Sequence, residues 1–334
     1  MRSFVLWLAM ATIQDPRRPG TGFLPSSLTA GRLNHGWATP RGGSQALPDA
    51  LIRLIEEHHG SVHCDAAVVG VDAGHGRARA VRTTDGRVVG VRRGVVSSAH
   101  LALLADLVDV PAAPEDLGAA REQWRPGLSV FAVHAALRGD LTFKAASGPV
   151  RAAAAGLGTT TGMVRQVDAH QRGEADASDP WLLVVDQTVV DPGRAPGAAA
   201  TLKLLTIAPY TRRDGRDWAD AKDEYAAQLL DLVRAKATGL ADADVLAVRA
   251  ESPVDVAAHN PHNVGGSCHG GEFLLRDGSV AAGWPDYRTS VPGLYVTGAT
   301  VHPGGSVSGR PGRNAARVVL GDLGIDPARV MGAR

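Results

Sequence analysis

The chain has 334 residues and a formal net charge of +1 at pH 7, so it could form one large domain or two interleaved ones. A hydrophobic content of 44% is ample for a core, and the near-neutral charge argues against binding to nucleic acid or to an acidic surface. The two cysteines, Cys64 and Cys268, provide no disulfide framework, which fits a reducing, cytoplasmic location.

The first predicted element is an apolar helix in the N-terminal stretch MRSFVLWLAMATIQDP. A signal-peptide core is the alternative, but its basic region is Arg2 alone and no clear small-x-small cleavage site follows. The run is also too short to cross a bilayer. We therefore expect the end of a buried helix and no clear membrane segment.

A helix, a strand and a hairpin are predicted next. The helix is expected to begin at Ser44, a good N-cap, and to end at Gly60. Its apolar face would consist of Leu47, Ala50, Leu51, Leu54 and Ile55. Strands follow in SVHCDAAVVGVDAG and in ARAVRTTDGRVVGVRRGVVSSA, with a hairpin turn at Asp85-Gly86.

The pattern between about Pro111 and Glu251 is typical of a different kind of domain. LSVFAVHAALRG and the apolar runs from Trp181 to Tyr210 predict an antiparallel sheet. DWADAKDEYAAQLLDLVRAKA predicts an amphipathic helix, whose apolar stripe contains Trp218, Tyr225, Leu229 and Val233. We interpret the alanine-rich VRAAAAGLG as a surface loop or a helix end.

The stretch GLYVTGATVHPGGSVSGRPGRNAARVVLG, from Gly293 to Gly321, predicts a strand, a glycine-rich loop and a helix. This order directs free backbone N–H groups and the positive end of a helix dipole at an anion. Its glycines would let a flat or charged ligand approach the backbone closely. On spacing alone, an ordinary glycine-rich turn between a strand and a helix remains an alternative.

The same stretch resembles the C-terminal signature of the phytoene-desaturase-like FAD-dependent oxidoreductases of the amine-oxidase superfamily. It is close to the branch named pyridine nucleotide-disulfide oxidoreductase domain-containing protein 2. The matching segments are Gly293-Leu294-Tyr295, Gly298-Ala299, His302-Pro303-Gly304-Gly305, Val307, Gly309 and Pro311-Gly312-Arg313-Asn314-Ala315-Ala316. The resemblance implies that the loop wraps FAD, with cofactor contacts from Val68, Gly298, Ala299, Pro303, Gly304, Gly305, Ser306, Val307 and Asn314.

The resemblance also implies the fold, which is α/β plus α+β. It would be the C-terminal part of a FAD/NAD(P)-binding, Rossmann-like flavoprotein with an antiparallel-sheet substrate domain. Residues 1–29 would be a helix and loop of the substrate domain, and residues 109–251 would form most of that domain. Residues 30–108 and 252–334 would belong to the FAD-binding domain. His100 stands where the family often has Asp or Pro.

Flavoproteins of this kind begin with a strand, a G-x-G-x-x-G loop, a helix and a later acidic residue that binds ribose. The nearest stretch here is GLGTTTG, from Gly156 to Gly162, which has a different spacing and no suitable acidic partner. We therefore interpret the chain as the later, N-terminally truncated part of a family member.

Histidines and a cysteine crowd the segment AHNPHNVGGSCHGGEF, which suggests zinc as one alternative. The spacing of His259, His262, Cys268 and His269 fits no usual zinc pattern, so no metal site is predicted. The resemblance implies instead a loop lining the flavin and the substrate, with candidate contacts from Asn260, Gly265, Gly266, His269 and Gly270.

The candidate catalytic residues are His302 and His269. His302 could shuttle a proton because the ordinary pKa of histidine is near neutrality, and a loop histidine bonded to its neighbours is the alternative. In flavoenzymes the ring carries the hydride chemistry. The resemblance implies a dehydrogenase- or desaturase-like transfer of hydride from a small, hydrophobic organic substrate to FAD. The alternative is a non-catalytic fragment, or half of a split enzyme that needs a partner chain carrying the G-x-G-x-x-G unit.

Overall fold

The computed structural model describes residues 1–36, 38–109, 115–195, 197, 199–272, 274, 277–280, 284, 286–305 and 307–332, with only the backbone at position 75. In this part of the chain the helices are α1 (Arg2–Met10), α2 (Leu24–His35), α3 (Ala46–Glu57), α4 (Leu101–Leu107), α5 (Glu115–Gln123), α6 (Thr160–Gln171), α7 (Trp218–Lys236), α8 (Pro253–His259), α9 (Arg310–Asp322) and α10 (Pro327–Met331). The strands are β1 (Val68–Asp72), β2 (Ala80–Thr83), β3 (Val88–Gly90), β4 (Val95–Ser97), β5 (Val108–Asp109), β6 (Val130–Leu137), β7 (Thr142–Ala145), β8 (Gly148–Val150), β9 (Ala154–Leu157), β10 (Leu182–Val185), β11 (Ala200–Ile207), β12 (Ala237–Thr238), β13 (Val245–Glu251) and β14 (Leu294–Val296).

The chain divides into two compact units. The first unit comprises residues 1–62 and 128–268, and the second comprises residues 63–127 and 269–334. The boundaries between the units therefore differ from the predicted domain boundaries at 29/30, 108/109 and 251/252. Which unit corresponds to the FAD-binding domain and which to the substrate domain stays a prediction.

The first unit is built on a five-stranded antiparallel sheet in the order β13-β6-β11-β10-β9. In β11 (ATLKLLTI), Ala200, Leu202 and Leu204 are buried while Lys203 is exposed, because successive side chains of a strand point to opposite faces. The buried stripe of α7, which includes Tyr225 and Leu229, belongs to the core cluster on this face. The predicted antiparallel sheet and amphipathic helix are confirmed.

The N-terminal helix is also confirmed as a buried element. Leu8, Ala9 and Met10 at the end of α1 are buried, and Met10 joins a core cluster with Met163 and Trp181. None of the helices in the described part of the chain is both long and apolar enough to cross a membrane.

Two local predictions in this unit are wrong. VRAAAAGLG contains β9, which pairs with β10 at the end of the sheet, and its Gly156 is required because a Cβ there would lie 2.6 Å from the Trp7 ring. Helix α3 begins at Ala46 rather than at Ser44, and Gln45 precedes it without a side-chain cap. No residue of α3 is buried, so its predicted apolar face is exposed.

The stretch GLGTTTG, from Gly156 to Gly162, does join a strand to a helix, but a carboxylate already occupies the helix N-terminus. Thr159 precedes α6, and its backbone N–H donates to Asp179 Oδ1 at 3.2 Å. A Cβ on Gly162 would lie 2.3 Å from Asp179 Oδ2. Asp179 therefore takes the place that a phosphate would need in such a loop.

The second unit contains a four-stranded sheet in the order β3-β2-β1-β5 and a parallel pair formed by β4 and β14. Its core includes Val71 on β1, Leu101 and Leu104 on α4, and Val296 on β14. The predicted hairpin at Asp85-Gly86 is confirmed between β2 and β3, with Gly86 at a φ of 82°. The predicted C-terminal strand, loop and helix are β14, residues 297–309 and α9.

Candidate functional site

The glycine-rich loop begins where two parallel strands end. β14 pairs with β4 in register, so that Val296 lies opposite Ser97, and Thr297 N donates to Ser97 O at 2.8 Å. The chain then turns through the loop into α9, which begins at Arg310. In parallel sheets, ligands bind beyond the carboxyl ends of the strands, and this loop lies at such an end.

Several glycines near the loop are required by close packing. A Cβ on Gly270 would lie 2.0 Å from Ala299 O, and one on Gly298 would lie 3.3 Å from Ser98 O. A Cβ on Gly305 would lie 3.3 Å from His269 Nδ1 and 3.7 Å from Ala299 Cβ. Ala299 therefore lies at the centre of a group that brings together His269, Gly270 and Gly305.

Other glycines of the loop face open space. Among the described residues, a Cβ on Gly304 would meet nothing closer than Ala299 O at 3.9 Å, and a Cβ on Gly309 or Gly312 would have no atom within 4 Å. These three positions lie before and within the first turn of α9. A flat or charged ligand can therefore approach the backbone here without displacing a side chain, which fits a flavin nucleotide.

Trp124 braces the segment beside the loop. Its indole Nε1–H donates to Gly270 O at 3.0 Å, and a Cβ on Gly271 would lie 2.3 Å from the same nitrogen. The indole also meets His100 edge to face, with 4.1 Å between ring centroids. His100 Nδ1 accepts from Ala102 N at 3.0 Å and so caps α4. The imidazole thus performs the capping that an Asp side chain would provide at this position.

Tyr287 connects the loop to α9. Its hydroxyl donates to the carbonyl oxygen of His302 and accepts from Asn314 Nδ2 at 2.8 Å. Tyr287 is buried and has a φ of 59°, which is uncommon for a residue other than glycine. Asn314 was predicted to contact the cofactor, and in this structure its amide group holds the loop through Tyr287.

The two candidate catalytic histidines have different surroundings. His302 is exposed, its N–H donates to Trp284 O at 2.7 Å, and its ring meets the Trp284 ring edge to face at 4.6 Å. Burial lowers the pKa of His269, so its imidazole is neutral at pH 7. Both rings lie at the loop, and their roles in proton transfer stay predictions.

The remaining predicted contacts are less closely grouped. Val68 lies on β1 opposite Thr83 and is half-exposed, while Pro303 and Val307 are exposed on the loop. Ser306 lies outside the described residues.

Sequence reasoning missed Trp124, Tyr287 and Trp284. The adjacent glycines Gly270-Gly271 were the available signal that an aromatic ring packs against the backbone there.

The histidine-rich segment contains an ordinary turn. Asn260 Oδ1 accepts from His262 N at 2.9 Å, and a Cβ on Gly266 would lie 2.6 Å from Pro253 O. Asn260, Gly265 and Gly266 belong to the first unit, whereas His269 and Gly270 belong to the second. Among the residues described, no three His, Cys, Asp or Glu side chains are arranged as ligands of one metal ion.

Comparison with known proteins gives a family and several relatives. The family model described as "Flavin containing amine oxidoreductase" matches residues 10–320. The mouse protein named pyridine nucleotide-disulfide oxidoreductase domain-containing protein 2 is 27% identical, and the alignment covers 94% of this chain and 57% of that protein. A phytoene desaturase (lycopene-forming) from a Paracoccus species is 25% identical over 85% of this chain and 55% of the relative.

Among solved structures, cyclohexylamine oxidase from Brevibacterium oxydans superposes with a TM-score of 0.56 at 15% identity, covering 96% of this chain and 64% of that one. A likeness at this identity concerns the fold, and it confirms the predicted fold class. The chain spans 57% of the length of the mouse relative and a similar share of the desaturase.

Proposed function

The chain belongs to the flavin-containing amine oxidoreductase family, as predicted, with the flavin cofactor of that family. From this premise we propose that it acts as a FAD-dependent oxidoreductase on a small organic substrate. The observation that carries the proposal is the loop from Thr297 to Gly309, which is open to a ligand at the end of two parallel strands and at the start of α9.

In this proposal, Gly298 and Ala299 lie by the chain that links the two halves of FAD, and Gly304, Gly305 and Val307 lie by the flavin. When bound, the flavin supplies the hydride acceptor. The protein supplies orientation, because Trp124 and the Asn314–Tyr287 hydrogen bond fix the loop on both sides. His269, neutral at pH 7, would accept a proton at its unprotonated imidazole nitrogen and become an imidazolium, a charged form that its burial disfavours.

Visible absorption after incubation with FAD and desalting tests cofactor binding. We expect flavin bands near one equivalent for the wild-type chain, and strongly reduced bands for Gly312→Leu. A Cβ at position 312 would have no described atom within 4 Å, so the added side chain extends into the space that the proposal assigns to the ligand.

Gly321→Leu is the matched control for this measurement, because Gly321 lies in the same helix near its other end and also has open space around it. This variant should retain the flavin. Equal flavin content in both variants would contradict binding at the start of α9.

The second candidate function is that of one half of a flavoenzyme, which needs a partner chain carrying the G-x-G-x-x-G unit. The parallel pair β4–β14 favours it, because parallel strands are normally covered on both faces within larger sheets. Val96 in the middle of β4 is 49% exposed. The same spectra separate the two candidates, because retention of about one equivalent of FAD by the chain alone excludes a need for the partner.

A further inference from the structure

Basic side chains form a row on the polar face of the five-stranded sheet in the first unit. Lys203 on β11 lies opposite His134 on β6, and His134 lies opposite Arg249 on β13. Direct partners across an antiparallel ladder share one face, with Cβ atoms about 5 Å apart. Lys203 and Arg249 therefore place two positive charges on this face of the sheet, one on each side of His134.

A cavity of about 530 Å³ lies over this row. Its described lining contains the cations Lys203, Arg249 and Arg194 and no carboxylate, together with Ala136 and Ala247 as an apolar floor. Cavities of about 300 to 1,000 Å³ accommodate small organic ligands. The cavity is therefore lined by positively charged side chains and also has space for a hydrocarbon group.

The three cations differ in the partners they already have. Arg249 lies 3.0 Å from Glu251, and Arg194 lies 3.1 Å from Asp191 while also donating to Thr39 and Pro40 of the neighbouring loop. Within the described chain, no carboxylate lies within 4 Å of the Lys203 ammonium. Lys203 is thus the cation of this cavity whose charge is left for a ligand to balance.

The lining also includes His134 and Gln187, two polar side chains that could bond a ligand. Burial lowers the pKa of His134, the Lys203 and Arg249 charges lower it further, and Glu251 at 3.5 Å opposes them. Its imidazole is therefore neutral at pH 7 and available for hydrogen bonding. Gln187 Oε1 is buried and has no hydrogen-bond partner in the described part of the chain, although Gln187 lines the cavity.

We propose that this cavity binds the carboxylate group of a small organic molecule, with the Lys203 ammonium as its charged partner. Ala136 and Ala247 would contact the hydrocarbon body, and the Gln187 amide would bond a polar group of the same molecule. Charge-assisted hydrogen bonds of this kind are the strong ones. The bound carboxylate would be the substrate only if the proposed oxidoreductase function is correct. Binding of a carboxylate in this cavity does not depend on that function.

Calorimetric titration of the full chain without added flavin tests the site. The probes are cyclohexanecarboxylate, cyclohexanecarboxamide and cyclohexylammonium, which have the same ring but different charges. We expect the carboxylate to bind at least about tenfold more tightly than the amide, as a charged hydrogen bond allows. Lys203→Met should weaken carboxylate binding by about tenfold and leave the amide unchanged, whereas Lys203→Arg should retain most of the affinity.

Lys144→Met is the matched control, because Lys144 is an exposed lysine on β7 in another sheet of the same unit. The proposal is overturned if the carboxylate does not bind at millimolar concentration, if it binds no better than the amide or ammonium, or if Lys203→Met has no effect. Flavin retention is measured separately. Lys203-dependent carboxylate binding without flavin retention would leave this site standing and contradict the oxidoreductase function of the chain alone.

Discussion

Replacing single glycines around the glycine-rich loop by alanine should lower the free energy of unfolding by different amounts. Gly270 has a φ of 82°, and a Cβ there would lie 2.0 Å from Ala299 O. Gly278 has a φ of 84°, but no atom of the described residues lies within 4 Å of its Cβ position. Gly278→Ala should therefore cost only the backbone strain of about 1 kcal/mol, whereas Gly270→Ala should cost about 2 kcal/mol more, or move the loop. Urea unfolding of the two variants measures the difference, and equal costs would contradict the close contact.

A largely buried histidine in the first unit should make stability depend on pH. Burial lowers the pKa of His170 to about 4, and its Nε2 accepts from Ser129 N at 3.2 Å. Below pH 6.5 the unfolded chain takes up a proton that the folded chain does not, so stability falls as the pH falls toward 4. From pH 7 to pH 5 this group should remove on the order of 2 kcal/mol of unfolding free energy.

His170→Gln should flatten that part of the pH profile, because an amide keeps an acceptor near Ser129 and does not titrate. His35→Gln, at an exposed histidine at the end of α2, serves as the control and should keep the wild-type slope. The slope is measured by urea unfolding at several values between pH 5 and pH 7. Identical slopes for the wild type and His170→Gln would show that His170 is not held neutral.

At the scale of elements, the paired side chains of Asp191 and Arg194 in one turn hydrogen-bond to the loop before α3. Asp191 Oδ2 accepts from Gly42 N at 2.7 Å and from Arg194 Nε at 3.1 Å, and both side chains are largely buried. Arg41 in this loop is already exposed to solvent, and Asp191→Ala should loosen the loop so that it fits the active site of trypsin more readily. We expect cleavage after Arg41 to be about tenfold faster. This corresponds to a decrease of about 1.4 kcal/mol in the free energy of local opening.

Limited tryptic digestion followed by mass spectrometry checks this prediction. Asp231→Ala is the control, because Asp231 also pairs with an arginine, but on the exposed surface of α7. Its digestion should match that of the wild type. An unchanged rate after Arg41 in Asp191→Ala would mean that the ion pair does not hold the loop.

Elements with a clear hydrophobic period were predictable from sequence, and those set by distant contacts were not. The stripe of Trp218, Tyr225 and Leu229 identified α7, and the apolar runs between Trp181 and Tyr210 indicated β10 and β11. In contrast, β9 (AAGL) carries no alternating apolar pattern and forms because β10 offers hydrogen bonds along its edge. The glycine-rich loop was recognisable from the sequence. Its contact with Trp124 was not, because Trp124 is 146 positions from Gly270 in the chain.

At the scale of the whole molecule, the exposed apolar face of α3 should govern association. Leu47, Leu51, Leu54 and Ile55 are 39 to 53% exposed on one helix, although their spacing is that of a core-facing helix. Contiguous apolar surface of this kind drives contact with another protein surface. Each leucine that becomes covered contributes about 1 kcal/mol or more, so the wild-type chain should self-associate as its concentration rises.

The double variant Leu51→Gln with Leu54→Gln should remain monomeric at concentrations where the wild type associates, because it interrupts the face at its centre. Size-exclusion chromatography with light scattering measures the difference. Leu33→Gln is the control, since Leu33 on α2 is 82% exposed but lies between Arg32 and Asn34, and this variant should behave like the wild type. If the double variant and the wild type have the same mass at every concentration, α3 is not the associating surface. If only the double variant stays monomeric and it still retains flavin, the α3 face serves contact with another chain rather than binding of the cofactor.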